Sequence, residues 1–274
     1  MTQHLASQPI GIFDSGVGGL TVLREISRHL PQEDLVYIGD TARLPYGNKS
    51  SGAIIQCTSE CAHFLLEQKI KLLIVACHTA SAHALDILQE TLPIPVIGVI
   101  QPGFELLMEN TRTQRVAILA TASTIASNVY QNLIRQHYPL ACIFPIACPL
   151  FVPLAEEHFF DHPAAELIAV HYLQDLHAAN IDAVLLACTH YPILRKAIQK
   201  ALPPSVKILE SAQSCAEQVR SLLMTSELMN KQEKKPHYQF FATDHTERFA
   251  TLAKTFLGHE IDLKLMHLEK NINS

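Results

Sequence analysis

The chain has no surplus of basic residues. Its 274 residues carry 21 Lys and Arg against 26 Asp and Glu, a formal net charge of −5. Binding a phosphate backbone takes clustered positive charge, so no nucleic-acid partner is expected. Long apolar runs are missing too. None approaches the roughly 18 residues that cross a bilayer, so no membrane partner is expected. Met1–Pro9 has neither the basic nor the apolar region of a signal peptide. The seven cysteines include no Cys-x-x-Cys pair. Their odd number, their spread and the lack of a secretion signal argue against a disulfide framework and for a reducing cytoplasm. Charged residues are sparse at 17%, whereas hydrophobic ones reach 48%. That balance excludes a disordered chain and supplies a packed interior.

Short apolar runs alternate with helical spacings. Ile10–Phe13, Leu35–Ile38, Leu72–Ala76, Val96–Ile100, Val116–Leu119, Ala183–Ala187 and Val206–Leu209 read as buried strands. Tyr238–Ala242 reads as another, and Ile261–Leu265 alternates like an edge strand. Leu20, Leu23, Ile26 and Leu30 mark one helical face; Phe249, Leu252, Ala253, Phe256 and Leu257 mark a second. Such alternation implies an α/β fold with mainly parallel sheets covered by helices. At roughly 100–200 residues per domain, one large or two modest domains are expected. The polar, lysine-rich Thr225–His237 reads as a solvated connection.

The sequence also echoes itself. Ile70-Lys-Leu-Leu-Ile-Val-Ala-Cys77 resembles Ile181-Asp-Ala-Val-Leu-Leu-Ala-Cys188. Each Cys closes an apolar strand and is followed by Thr and His in opposite order, His78-Thr79 and Thr189-His190. Two similar halves, each with one thiol at a strand exit, are the central expectation.

Ligands of open α/β sheets sit beyond the carboxyl ends of the strands. The first such exit is Asp14-Ser15-Gly16-Val17-Gly18-Gly19, which holds three of the ten glycines. Its N–H groups suit an anion, but it matches neither a Walker loop nor Gly-x-Gly-x-x-Gly. The second exit, Asp40 to Gly47, ends in a Pro45-Tyr46-Gly47 turn. Another, Thr121-Ala122-Ser123-Thr124, places hydroxyls at a helix start, where Ser and Thr also cap by default.

Cys77 and Cys188 are the strongest candidates. A thiol at a helix N-terminus is expected to have its thiolate favoured by the helix dipole. Three chemistries use such a pair. Zinc could take Cys77, His78, Cys188 and His190, but adjacent Cys and His side chains diverge, so no metal site is expected. A cysteine hydrolase of small acidic amides, with His190 as base, leaves one thiol unexplained. Two-base proton exchange at a carbanion needs two similar acid/base groups across a cleft, which two echoing halves provide.

These stretches resemble the glutamate racemases of the aspartate/glutamate racemase superfamily. The resemblance runs from Ile10 to about Gly258. It rests on Ile10–Thr21 (IGIFDSGVGGLT), Ile38–Gly47 (IGDTARLPYG), Ala76–Ala82 (ACHTASA), Pro95–Gly103 (PVIGVIQPG), Cys148–Glu157 (CPLFVPLAEE) and Ala187–Pro192 (ACTHYP). It implies two similar α/β domains related by a pseudo-twofold, with the active site in the cleft between them. Residues 1–98 and 210–274 would form the first, and 99–209 the second. It implies cofactor-independent interconversion of L- and D-glutamate for peptidoglycan synthesis, with aspartate or a broader substrate range as the alternative. It also implies a small-molecule substrate and a homodimer.

By the resemblance, Cys77 and Cys188 match the two catalytic thiols, and His190 a residue that tunes the second. Asp14 and Ser15 match substrate-contact positions, and Asp14 also matches a position that assists proton transfer. Tyr46 and Gly47 match backbone-contact positions. Thr79, Thr121, Thr124 and Thr189 match donors to the carboxylates. Asp40 and either Glu156 or Glu157 match acidic positions near the site. The family's usual Ala-Cys-Asn-Thr reads Ala76-Cys77-His78-Thr79 here, which puts a larger, titratable ring at a substrate-contact position. The usual Asp-Ser near the C-terminal crossing reads Glu210-Ser211. No lysine stands out as an anchor for pyridoxal phosphate; the twelve sit mostly in polar contexts such as Lys231, Lys234 and Lys235.

Overall fold

The computed structural model describes residues 5–267 apart from 233 and 245. Among the described residues, ten strands form two sheets. The strands are β1 (Ile10–Asp14), β2 (Leu35–Gly39), β3 (Leu72–Val75), β4 (Val96–Gly98), β5 (Arg115–Ala120), β6 (Cys142–Ala147), β7 (Ala183–Ala187), β8 (Lys207–Glu210), β9 (Tyr238–Ala242) and β10 (Leu263–Leu265). One sheet has the order β10-β9-β2-β1-β3-β4, the other β6-β5-β7-β8. Every pairing is parallel.

The strand sequences explain this arrangement. All residues of β1, β2, β3 and β7 are buried, as strands with helices on both faces must be. Ile10, Ile12, Tyr37 and Ile74 feed one core of the first sheet, and Phe13, Ile38, Leu73 and Val75 the other. The second sheet divides likewise, with Leu119 and Leu186 on one face and Ile118 and Leu185 on the other. Each fully buried Ile or Leu contributes roughly 1.5–3 kcal/mol.

The order β2-β1-β3-β4 recurs as β6-β5-β7-β8. Cys77 therefore leaves β3, and Cys188 leaves β7, at equivalent places in the two sheets. The chain passes from the first sheet to the second after β4 and returns after β8. The helix Ser211–Thr225 packs on both Leu20–His29 and Ile100–Asn110, so it ties the two sheets together.

Two sequence expectations need correction. β6 was not expected: its residues are half-exposed or exposed, so the pattern of a buried strand is absent. Pro145 has no N–H to donate, and such a residue is tolerated because β6 is an edge strand. The connection after Thr225 is not simply solvated. Asn230 is buried, donates its backbone N–H to Glu33 (2.8 Å) and its side-chain amide to the Gln32 carbonyl (2.9 Å). One lysine is an exception to the mostly polar contexts expected. Lys71 is buried, and its ammonium donates to Glu33 (2.5 Å), Ala6 O (2.6 Å) and Leu228 O (2.8 Å). All seven cysteines are free thiols. Among the described residues no helix is long and apolar enough to cross a membrane.

Candidate active site

The parallel register brings the strand exits to one end of each sheet. Cys77 caps the helix His78–Thr91, its sulfur accepting from the Ala80 N–H at 3.5 Å. The thiol in turn donates to Ser15 Oγ at 3.4 Å. The helix end favours a thiolate, yet burial and the nearby Asp14 outweigh it and push the Cys77 thiol up to about 12. Cys77 is therefore a protonated thiol at neutral pH, contrary to the expectation from the helix dipole.

Cys188 has different surroundings. Thr189 and His190 follow it, then the 3-10 turn Tyr191–Leu194 with Pro192 as its second residue. It does not cap a helix as Cys77 does. Its special partner is His190. Burial disfavours charge on that ring, but Cys188 and Glu156 more than offset it and hold His190 up to about 10. The ring is thus an imidazolium at neutral pH, with Nε2 3.2 Å from Glu156 Oε1. Glu156 rather than Glu157 makes this contact, although both line the cavity.

Asp14 lies fully buried behind the cavity wall. Its carboxylate accepts from the Gly16 N–H (2.9 Å) and the Thr189 hydroxyl (3.1 Å). Burial raises its pKa, while His190 and these donors act in the opposite sense. Gly18 is where the two sheets' loops meet. A Cβ there would stand 2.4 Å from Thr189 Oγ1 and 2.6 Å from His190 Nδ1, so only glycine allows this approach.

Three threonine hydroxyls cluster together. Thr79 Oγ1 lies 2.8 Å from Thr121 Oγ1 and 3.1 Å from Thr124 Oγ1, and the latter two are 2.9 Å apart. Thr79 follows the first sheet, Thr121 and Thr124 the second. Gly47 packs against Thr121. Asp40 sits further back, fully buried. It accepts from Tyr46 OH (2.5 Å), Arg43 Nε (2.7 Å) and Thr243 Oγ1 (2.9 Å). All these contacts go to protein, so Asp40 braces the 43–47 turn instead of facing the cavity.

His78 occupies the wall beside Cys77. Its Nε2 shares a hydrogen bond with Ser211 Oγ at 3.2 Å, and its ring stacks on Tyr130 with centroids 6.4 Å apart. Nδ1 is buried without a protein partner. Burial lowers its pKa to about 3, so the ring is neutral. An unfolded histidine titrates near 6.5. The depressed value means that stability is present above about pH 6.5 and is lost as pH falls toward 3. Expected result: His78→Asn flattens the fall of Tm between about pH 6.5 and 4. Parallel acid limbs for parent and variant in a thermal-melt series would disprove it.

Ser15, Tyr46, Gly47, Cys77, His78, Thr79, Thr121, Glu156, Cys188, Thr189 and His190 line one cavity of about 180 Å³. One water needs only ~10–15 Å³ by this measure, so the space suits a small molecule such as an amino acid. Asp14, Asp40 and Thr124 lie behind the lining. Leu44, Pro45, Asn48, Pro149, Val152 and Pro153 also line it. The last three were missed because they follow the unrecognised β6. The strand-exit rule would have found them once that strand was known. Among the described residues no three His, Cys, Asp or Glu side chains converge as metal ligands. Of the four residues considered for zinc, His78 Nε2 bonds Ser211 and His190 Nε2 meets Glu156.

Comparison with known proteins decides the family. The sequence profile of Asp/Glu/Hydantoin racemases matches residues 10–219. The chain belongs to this racemase family. It is 44% identical to the glutamate racemase of Chlorobaculum tepidum over 97% of this chain and 99% of that one. It is 46% identical to that of Geobacter metallireducens, over 92% and 93% respectively. The crystal structure of the Francisella tularensis glutamate racemase in complex with D-glutamate superposes with a TM-score of 0.91 at 39% identity, covering 96% of this chain and 99% of that one. A member of the racemase family is an isomerase, and Cys77 and Cys188 of this one line the same cavity.

Proposed function

We propose that this racemase interconverts L- and D-glutamate by two-base proton transfer between Cys77 and Cys188, with no cofactor taking part. One observation carries the mechanism: two thiols at equivalent strand exits of two similar sheets line a single cavity. The choice of glutamate is supported by the relatives, which bear that name at 44% and 46% identity.

The chemistry follows from the surroundings of each thiol. Cys188, with the His190 cation beside it, takes the Cα proton from one face. The electron pair left on Cα delocalises into the substrate carboxylate as an enolate. Cys77, held protonated, delivers its proton to the opposite face. The reverse direction exchanges the roles. N–H and hydroxyl donors from Ser15, Gly47, Thr79, Thr121 and Thr189 stabilise the developing charge before water can screen it. Asp14 holds Thr189, and Asp40 holds Tyr46, so both act through neighbours that line the site.

The same reading takes residues 1–98 with 210–274 as one domain and 99–209 as the other, the cleft between them being the site. It assigns the product to peptidoglycan synthesis in the cytoplasm and the chain to a homodimer. The test is L-glutamate with purified, chelator-treated protein in D₂O, followed by chiral analysis and Cα proton NMR. D-glutamate carrying Cα deuterium is expected. Aspartate run in parallel reads what His78 does to specificity. Turnover of aspartate without glutamate would overturn the substrate assignment.

A further inference from the structure

His190 is enclosed on three sides. Gly18 abuts Nδ1 from the loop after β1. Glu156, at the end of the helix Phe151–Glu156, meets Nε2. The third side is Phe256, from the helix Thr246–Leu257. The two ring centroids are 5.9 Å apart and their planes stand at 77°, the edge-to-face geometry that aromatic pairs favour.

Phe256 belongs to the core of the first sheet, whereas His190 follows β7 of the second. Its backbone carbonyl accepts from Arg24 Nη1 at 3.2 Å. Arg24 lies on the helix Leu20–His29, which grows directly out of the glycine loop that carries Gly18. Two of the three walls around His190 are thus fixed to each other. The ionisable groups acting on the ring are Cys188, Glu156 and Asp14. Phe256 is an aromatic contact of the ring.

We propose that Phe256 is a positioning residue: its ring holds the His190 imidazole in the orientation that reaches Glu156 and Cys188, and keeps water from that group. The inference rests on the racemase reading, because it works through the partner of one thiol. The physical reason is twofold. Charges interact more strongly where water is excluded. A displacement of about 1 Å in a catalytic array can cost on the order of a hundredfold in rate.

The test compares Phe256→Leu, Phe256→Tyr and Leu252→Ala. Leu252 shares the helix and the core with Phe256, so its variant measures destabilisation alone. The readouts are kcat and KM in both directions, Tm, and the His190 ring ¹⁵N resonances without substrate. Phe256→Leu is expected to lower kcat about tenfold or more, with KM within about twofold of the parent. Its His190 resonances should move. Phe256→Tyr should restore most of the rate, and Leu252→Ala should lose stability with kcat intact. Parent-like kcat and resonances in Phe256→Leu would overturn the proposal. So would an equal kcat loss in Leu252→Ala. If Phe256→Leu does not fold, Arg24→Gln releases the carbonyl anchor and is read in the same way. The resonances need no turnover, so they separate failure of this inference from failure of the glutamate assignment.

Discussion

Cys77→Ala and Cys188→Ala should each lower racemisation by about a thousandfold or more, the scale that one positioned acid/base group contributes. Both variants should fold. Each sulfur lies at the cavity wall, and losing it removes a small side chain from a layer braced by neighbouring strands. The informative result is the asymmetry. In Cys77→Ala only Cys188 can remove and return a proton, so any deuterium wash-in is confined to one enantiomer. In Cys188→Ala it is confined to the other. Chiral analysis with Cα NMR in D₂O reads both. Full racemisation in either variant, or exchange of both enantiomers in one, would refute the two-base assignment.

The largest effect on stability should come from Lys71, far from the cavity. Its ammonium is buried and makes three hydrogen bonds, one to Glu33. Glu33 also accepts the backbone N–H of Asn230. Lys71→Met removes one charge and leaves the other buried, which typically costs 3–5 kcal/mol, about the value expected here. For a chain of this size each kcal/mol moves Tm by roughly 2–4 °C, so the fall should be on the order of 10 °C. Lys254→Met is the control, because its contact with Glu260 is exposed and such pairs contribute about 0–1 kcal/mol. Equal melting shifts for the two variants would show that the buried pair is not an anchor.

Much of the fold was legible. The apolar runs of β1, β2, β3 and β7 identify themselves because both faces of these strands are covered. β6 stayed hidden for the converse reason: an edge strand needs no continuous apolar run and tolerates Pro145. The connection around Asn230 was misread because composition reports polarity and not partners. Its buried hydrogen bonds go to residues about two hundred positions away in the chain.

The site divides along the same line. By itself the sequence determined which residues stand at strand exits, hence Cys77, Cys188, Thr121 and the Asp14–Gly19 loop. It also showed the echo that the shared strand order explains. These are local properties, set by periodicity and by where a strand must end. Only the tertiary structure decided the electrostatics. Equivalent positions made the thiols look alike, yet one caps a helix beside a buried carboxyl and the other adjoins an imidazolium. It also decided that Glu156 meets His190, that Asp40 faces the protein, and that Phe256 covers the ring. Proton affinity depends on burial and on charges a few ångströms away, and apart from His190 those neighbours, Glu156 and Asp14, come from distant parts of the chain.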